Sequence, residues 1–247
     1  MPKISAFDLF CQYSSHSTLP PATPLIQQDQ TINEIFLIEA GLVKLTRLES
    51  SGGEMITGLR TAGQLLGAAS TIAKNPSPMT VITLTQCEVY RIAVSKFISL
   101  METNTDFSRH VIELISQHHQ EQMIRQAQLG LLSARARLAL LLLDFSHELA
   151  PNKNGEIRVP LPLKDAEVAA MLAVDPAHLS RIFSKLAKDG VIRKSGGWVY
   201  LTNLDLLKQE ANGGLYRRGG GRNLDKPLSL VSESGLTKII FRLDHCQ

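Results

Sequence analysis

The stretch Leu163–Leu201 limits the possible folds more than any other part of the chain, because it encodes two short helices and a glycine-turned hairpin in direct succession. The spacing predicts a first helix over Lys164–Leu172, with Val168, Met171 and Leu172 three and four apart on one inward face. Ala169 is small where a second helix must cross closely. Ala173-Val174 makes a tight turn. Asp175-Pro176 then reads as a helix start: a side-chain acceptor at the N-cap, followed by a proline whose missing N–H costs nothing in the first turn. The second helix, Pro176–Lys188, should bury Leu179, Ile182, Phe183 and Leu186 and end at Gly190. Val191-Ile192-Arg193 and Trp198–Leu201 follow as strands joined through Ser195-Gly196-Gly197, a loop suited to a hairpin. The pattern is a helix-turn-helix with a β-wing.

A helix of this kind fits the major groove of B-DNA, with the side chains at its N-terminal end facing base edges. The outward residues are Pro176, Ala177, His178, Ser180, Arg181, Ser184 and Lys185. Arg181 is the best base reader, since a guanidinium can donate to guanine O6 and N7 together; Ser180 can reach a base or a phosphate. Lys185, Lys188, Arg193 and Lys194 would lie along the sugar-phosphate backbone and add affinity without sequence information. Between Arg181 and Lys194, five basic residues face one acid, Asp189. The alternative is a helical hairpin whose basic residues are a solvated face.

In this segment the chain resembles the CRP/FNR family of bacterial transcription regulators, and the likeness extends from about Leu19 to Leu201. The family's second helix commonly carries Glu-x-x-Ser-Arg; Ser180-Arg181 matches, whereas Ala177 stands at the Glu position. The resemblance therefore supports the fold strongly and the operator weakly. Upstream, Asn33–Leu45 with a turn at Gly41, the hairpin Ser50–Glu54 into Met55–Leu59, Thr80–Thr85 and Glu88–Ile92 are short strands at close spacing, as in an antiparallel roll. The implied fold is α+β: an N-terminal antiparallel β-roll of cyclic-nucleotide-binding type, a long dimerisation helix and a C-terminal winged helix-turn-helix. The expected boundaries are 1–103 for the roll, 104–132 for the helix, 133–211 for the DNA-binding domain and 212–247 for a tail.

Members of the family that bind cyclic nucleotides hold the ligand with a segment beginning Gly-Glu and ending Arg-Ser or Arg-Thr. The matching effector-pocket positions are Gly67, Ala68, Pro78, Met79 and Thr80, so the carboxylate and the guanidinium are both replaced. A phosphate buried there would lose its hydration without gaining a charged partner. Cyclic AMP and cyclic GMP are therefore not expected as effectors. Lys74 in the same loop could compensate, although a loop lysine is usually solvated. Three scattered cysteines, Cys11, Cys87 and Cys246, lack the spacing of an iron–sulfur site. His16, His110, His118 and His119 are haem-ligand candidates by residue type only, and adjacent His118 and His119 diverge around a helix. No cofactor or metal is implied, and the effector is unidentified.

The 247 residues and net charge of +3 suit two domains and are compatible with DNA. Unpatterned cysteines, no signal-like N-terminus and a longest apolar run of only Leu138–Leu143 point to a cytoplasmic chain without a membrane partner. Asn104 to about Gly130 reads as one helix with an apolar stripe of Phe107, Val111, Leu114, Ile115, Ile124 and Leu129, to be broken or bent at Gly130 before a second helix at Ser133–Leu149. The stripe suits pairing with a twin, as the resemblance implies, or packing on its own roll. A short helix is expected over Asn203–Ala211, and Leu236–Leu243 could form an isolated strand or helix. The Gly- and Arg-rich stretch Gly213–Arg222 would either touch phosphates or be inert.

These readings converge on a homodimeric, sequence-specific DNA-binding regulator of a palindromic operator, with RNA polymerase as a further candidate partner. The alternative is a small-molecule-binding signalling module with weakened DNA binding. An enzyme is not expected, because no metal-spaced histidines or nucleophile elbow are present in the sequence.

Overall fold

The computed structural model describes residues 6–50, 53–146 and 155–213. Two compact units divide between Gln120 and Glu121. The N-terminal unit runs α1 (Ala6–Gln12), β1 (Ser15–Leu19), β2 (Pro24–Ile26), β3 (Glu34–Ala40), β4 (Val43–Leu48), β5 (Glu54–Arg60), β6 (Leu65–Leu66), α2 (Ala68–Ile72), β7 (Thr80–Thr83), β8 (Cys87–Ala93) and α3 (Val94–Thr103). It ends in the first part of α4 (Thr105–Leu131).

The strands form two antiparallel sheets, ordered β1-β8-β3-β6 and β2-β7-β4-β5. Both line one core, in which Ile35, Ile38, Val89 and Ile92 of the first sheet join Ile26, Val43 and Val81 of the second. Four consecutive residues of β3, Ile35–Ile38, are buried, so both of its faces are covered and the expected alternation is lost. Gly41 turns the chain with φ +95°, and a Cβ there would meet the Gln86 carbonyl and lie 2.7 Å from Cys87 Sγ. Only glycine fits this turn. The strands either side of it are not paired to each other; the turn passes the chain from one sheet to the other.

The apolar stripe of α4 splits. Phe107 and Val111 are buried in the roll core together with Phe97 and Leu100 of α3, and Ile115 packs against it. Ile112, Met123, Leu129 and Leu131 of the same helix are exposed instead. Gly130 does not break the helix, which continues to Leu131. The carbonyls of Leu129 and Leu132 are taken by the Arg137 guanidinium, which stabilises this end despite the glycine.

The C-terminal unit continues with α5 (Ala134–Ser146), β9 (Ile157–Pro160), α6 (Asp165–Met171), α7 (Pro176–Lys188), β10 (Ile192–Ser195), β11 (Trp198–Leu201) and α8 (Leu204–Gly213). Leu138, Leu142, Val159, Val168, Leu179, Leu186, Val199 and Leu207 are among its most buried side chains. The expected wing hairpin gains a third strand, giving the order β10-β11-β9. The end of the helix expected to reach Leu149, and the readings made for Gly214–Arg222 and Leu236–Leu243, lie outside the described residues.

Candidate nucleic-acid interface and effector segment

The recognition element is built from short-range rules. Val168 and Ala169 of α6 are buried, Leu172 caps the helix from inside the core, and Met171 is half-buried rather than fully inward. The turn is closed by Ala173, which takes φ +50°, and by the Val174 N–H donating to the Ala169 carbonyl at 3.0 Å. Asp175 then caps α7: its Oδ1 accepts from the His178 N–H at 2.7 Å, and Pro176 occupies the first turn. That backbone bond, helped by Arg181, holds the Asp175 carboxyl below its ordinary range.

Helix α7 buries Leu179, Ile182, Phe183 and Leu186, as its periodicity requires. Pro176, Ala177, His178, Ser180, Arg181 and Lys185 are all exposed. These six share the outer surface of one capped helix. Ser180 also contributes its carbonyl to Ser184 Oγ at 2.9 Å.

The two wing cations are already engaged. Arg193 donates to Glu156 at 2.9 Å and lies 4.0 Å over the Tyr200 ring. Lys194 donates to both Asp165 oxygens, at 2.9 and 3.1 Å, and lies 4.6 Å from the centre of the Phe183 ring. Counting charge along the segment missed both acids, since Glu156 and Asp165 precede it in sequence. The wing turn is a two-residue loop, Gly196-Gly197, with φ of +59° and +76°, and the register closes it at Ser195 opposite Trp198.

Two arginines that carry no periodic signal hold this unit together. Arg135 forks to Glu210 at 2.6 and 2.7 Å and reaches Asp189 at 2.7 Å, which ties α5 to α8 and to the end of α7. Arg137 donates to the carbonyls of Leu129, Leu132 and Leu172.

In the roll, the five positions expected to line an effector pocket carry no charge, and Lys74 between them is exposed. Gly67 has φ +89°, and a Cβ there would press on Ile26, Ile32 and Ile35. Ala68 is buried in the core beside it. Pro78 is exposed, and its carbonyl accepts from Arg47 Nη1 at 2.8 Å. Arg47 is itself paired with Glu49 at 3.0 Å. The Met79 sulfur accepts from Thr57 Oγ1, and Thr80 Oγ1 accepts from the Gln28 N–H at 3.1 Å. The histidines weighed as haem ligands are dispersed: His16 bonds Glu39 at 2.6 Å, His110 lies 3.8 Å from Glu113, and His118 meets Arg60. Among the described residues no group of three or more His, Cys, Asp or Glu is placed to hold a metal ion. No described helix is long and apolar enough to cross a membrane. Arg60, buried on β5, was not foreseen, because a single charge in a strand pattern reads as an exposed position.

Comparisons with known proteins agree with this geometry. Residues 17–104 match the cyclic nucleotide-binding domain family, and residues 136–210 match the Crp-like helix-turn-helix domain family. The chain is 23% identical over 207 residues to the cyclic AMP receptor protein of Thermus thermophilus, covering 83% of this chain and 92% of that one. It is 27% identical over 189 residues to the nitrogen fixation regulation protein FixK of Bradyrhizobium diazoefficiens, covering 76% and 77%. Among solved structures, FixK2 from Bradyrhizobium japonicum superposes with a TM-score of 0.67 at 18% identity, covering 78% of this chain and 95% of that one. A CRP-family transcriptional regulator from Thermus thermophilus gives 0.68 at 19%, covering 79% and 96%. A roll of this type followed by a winged helix-turn-helix defines a class of two-domain transcription regulators with a DNA-binding C-terminal domain. The chain belongs to the CRP/FNR family within that class.

Proposed function

We propose that the protein acts in the cytoplasm as a homodimeric, sequence-specific transcription regulator rather than an enzyme, and that its sensor roll does not take cyclic AMP. The observation that carries this reading is the exposed face of α7, where His178, Ser180, Arg181 and Lys185 stand on a helix capped by Asp175 and backed by a buried apolar face. In a major groove, Pro176, Ala177 and His178 would approach base edges, and Arg181 would read a guanine with two donors. Ala177 cannot accept from a cytosine amine, so the half-site differs from those read through a glutamate at that position. Arg193 and Lys194 would exchange Glu156 and Asp165 for phosphates on docking.

Dimerisation is supported by the apolar residues that α4 leaves exposed, Ile112, Met123, Leu129 and Leu131. Two copies of α7 about one helical turn of DNA apart would read a palindrome. Ala68 in the core and Pro78 in place of a guanidinium argue against a cyclic phosphate in the segment Gly67–Thr80. A small-molecule effector of another kind, and RNA polymerase as a partner on the promoter, complete the reading.

Selection from a random oligonucleotide pool with the full chain tests it. An enriched two-fold symmetric site, lost in Arg181→Ala, is the expected result. A pool without enrichment would instead favour a signalling module whose DNA contacts have weakened, the reading to which Ala177 lends some weight.

A further inference from the structure

The outward side of α7 divides into rows of different chemistry. Successive residues turn by about 100°, so Ala177, Arg181, Ser184 and Lys188 fall within about 60° of one another, opposite the buried Leu179, Ile182, Phe183 and Leu186. His178 and Lys185 share a second exposed row about 80° to one side, separated by about 10.5 Å along the axis. With the first row turned toward base edges, the second runs along the edge of the groove, where the phosphates lie.

A carboxylate stands at the head of this second row. Asp175 is exposed, and the His178 N–H that it accepts as helix cap keeps it ionised. Beside a phosphate it is a like charge, so docking needs a cation to offset it. Arg181 is committed to a base in the reading above. The His178 imidazole is exposed, and among the described residues no side-chain hydrogen bond or ion pair holds it. Charges on the elements packed against α7 are engaged elsewhere. On α6, Asp165 holds Lys194 and Glu167 accepts from the Lys164 N–H; on β10, Arg193 donates to Glu156. On α7 itself, Asp175 interacts with both His178 and Arg181.

We propose that His178 contacts a DNA phosphate at the edge of the groove as an imidazolium, so that the chain takes up a proton when it docks and binds DNA more tightly as the pH falls. An imidazole exchanges its proton within the cellular pH range, which neither lysine nor arginine does. A neutral ring could donate one N–H to the phosphate but would leave Asp175 opposed to it; the cation meets both anions. The proposal rests on reading α7 as the recognition helix, and it adds regulation to that site. Acidification would strengthen binding to every sequence alike, because a phosphate contact carries no base information.

Fluorescence anisotropy with the full chain, on the selected duplex and a scrambled one, tests this between pH 8 and pH 6 at constant ionic strength. Affinity for both duplexes should rise by about three- to tenfold across the range, and the log–log salt slope should be steeper by about one at pH 6. His178→Gln should remove the gain on both duplexes. His178→Arg, a permanent cation, should bind at pH 8 as tightly as the unaltered chain does at pH 6. Asp175→Asn keeps a cap and removes the charge, so it should bind both duplexes several-fold more tightly at pH 8. Asp144→Asn should keep the full gain, which separates this contact from the buried carboxyl of α5.

A gain that persists in His178→Gln overturns the proposal, as does one lost in Asp144→Asn. A gain confined to the selected duplex also overturns it, since the imidazole would then read a base. Specific binding by the unaltered chain without any pH dependence removes the proton-linked contact alone, whereas a pool that yields no preferred site at either pH removes the regulator reading.

Discussion

Arg137 donates two hydrogen bonds to the carbonyl of Leu172, at 2.6 and 3.1 Å. Leu172 ends the first helix of the recognition motif, so its carbonyl would otherwise be left over where the chain turns toward Ala173. The same guanidinium donates to Leu129 at 3.0 Å and to Leu132 at 2.8 Å, at the end of α4. Desolvation lowers the Arg137 pKa, yet an arginine remains charged at any physiological pH, so these bonds are charge-assisted. One side chain therefore spans the end of the long helix and the turn that sets the angle of α7.

Arg137→Met keeps the aliphatic packing and removes all four bonds. Thermal unfolding should show the C-terminal unit destabilised by about 2–4 kcal/mol, the range for deleting a donor that satisfies buried carbonyls. Arg137→Lys should recover less than half of this, because a compact ammonium cannot reach three carbonyls at once. Amide exchange at Val174 should quicken in both variants. A midpoint within a degree of wild type would show that water replaces the guanidinium without loss.

Ala173 holds a left-handed conformation, φ +50°, at the turn between α6 and α7. An L-residue with a Cβ is strained there by about 1–2 kcal/mol, whereas glycine is not. Part of that gain is offset by the greater freedom of glycine in the unfolded chain. Ala173→Gly should therefore stabilise the unit by up to about 1 kcal/mol, with the DNA site unchanged. Destabilisation on chemical denaturation would mean that the alanine methyl makes packing contacts worth more than the strain.

The recognition motif was legible because its signals are local. An N-cap aspartate, a proline after it and apolar residues at three- and four-residue spacing predict α7 and its buried face without any knowledge of the rest. The third wing strand was missed because Ile157–Pro160 offers only two inward residues and ends in a proline. Helices α1, α2 and α3 were likewise unforeseen. The stripe of α4 left two readings open, a twin or its own roll, because periodicity shows that a face is buried and not against what; Phe107 and Val111 serve the roll. Arg60, Arg135 and Arg137 were invisible as functional positions, since their partners come from residues distant in sequence or from backbone carbonyls. Pairing of Lys194 with Asp165 across 29 positions is the same kind of non-local fact.

Asp144 on α5 gives the C-terminal unit a pH dependence. Burial pushes its carboxyl from 3.8 up to about 7; Arg125 opposes the shift in part and Glu121 adds to it. The folded unit therefore holds this proton where the unfolded chain has released it. Stability must fall as pH rises from about 4 to about 7 and level off above, by at most about 4 kcal/mol from this group. Asp144→Asn keeps a neutral side chain throughout, so its unfolding midpoint should be higher than that of wild type at neutral pH and flatter across the window. If the two profiles stay parallel between acid and neutral pH, Asp144 titrates normally and is better solvated than its surroundings suggest.

Lys194 is held by both carboxylate oxygens of Asp165, which makes the wing a test of the proposed DNA contact. If Lys194 exchanges this acid for a phosphate on docking, the ion pair competes with DNA. Removing the acid should then favour binding. Asp165→Asn is expected to raise affinity for random-sequence DNA several-fold at low salt with the log–log salt slope little changed, because Lys194 meets a phosphate in either protein. Lys194→Ala should lower the slope by about one, and the double variant should lack the gain seen in Asp165→Asn, because without the ammonium the acid has nothing to withhold. The discrimination that Arg181 provides should not move, since a phosphate contact adds equally to every sequence. Arg181→Ala, by contrast, should cost about 1–3 kcal/mol on the selected site and much less on random DNA. Salt titrations by anisotropy on the selected and a scrambled duplex read all of these effects. A Lys194→Ala protein with unaltered slope would place Lys194 outside the DNA contact and leave its pairing with Asp165 a purely structural tie between the wing and α6.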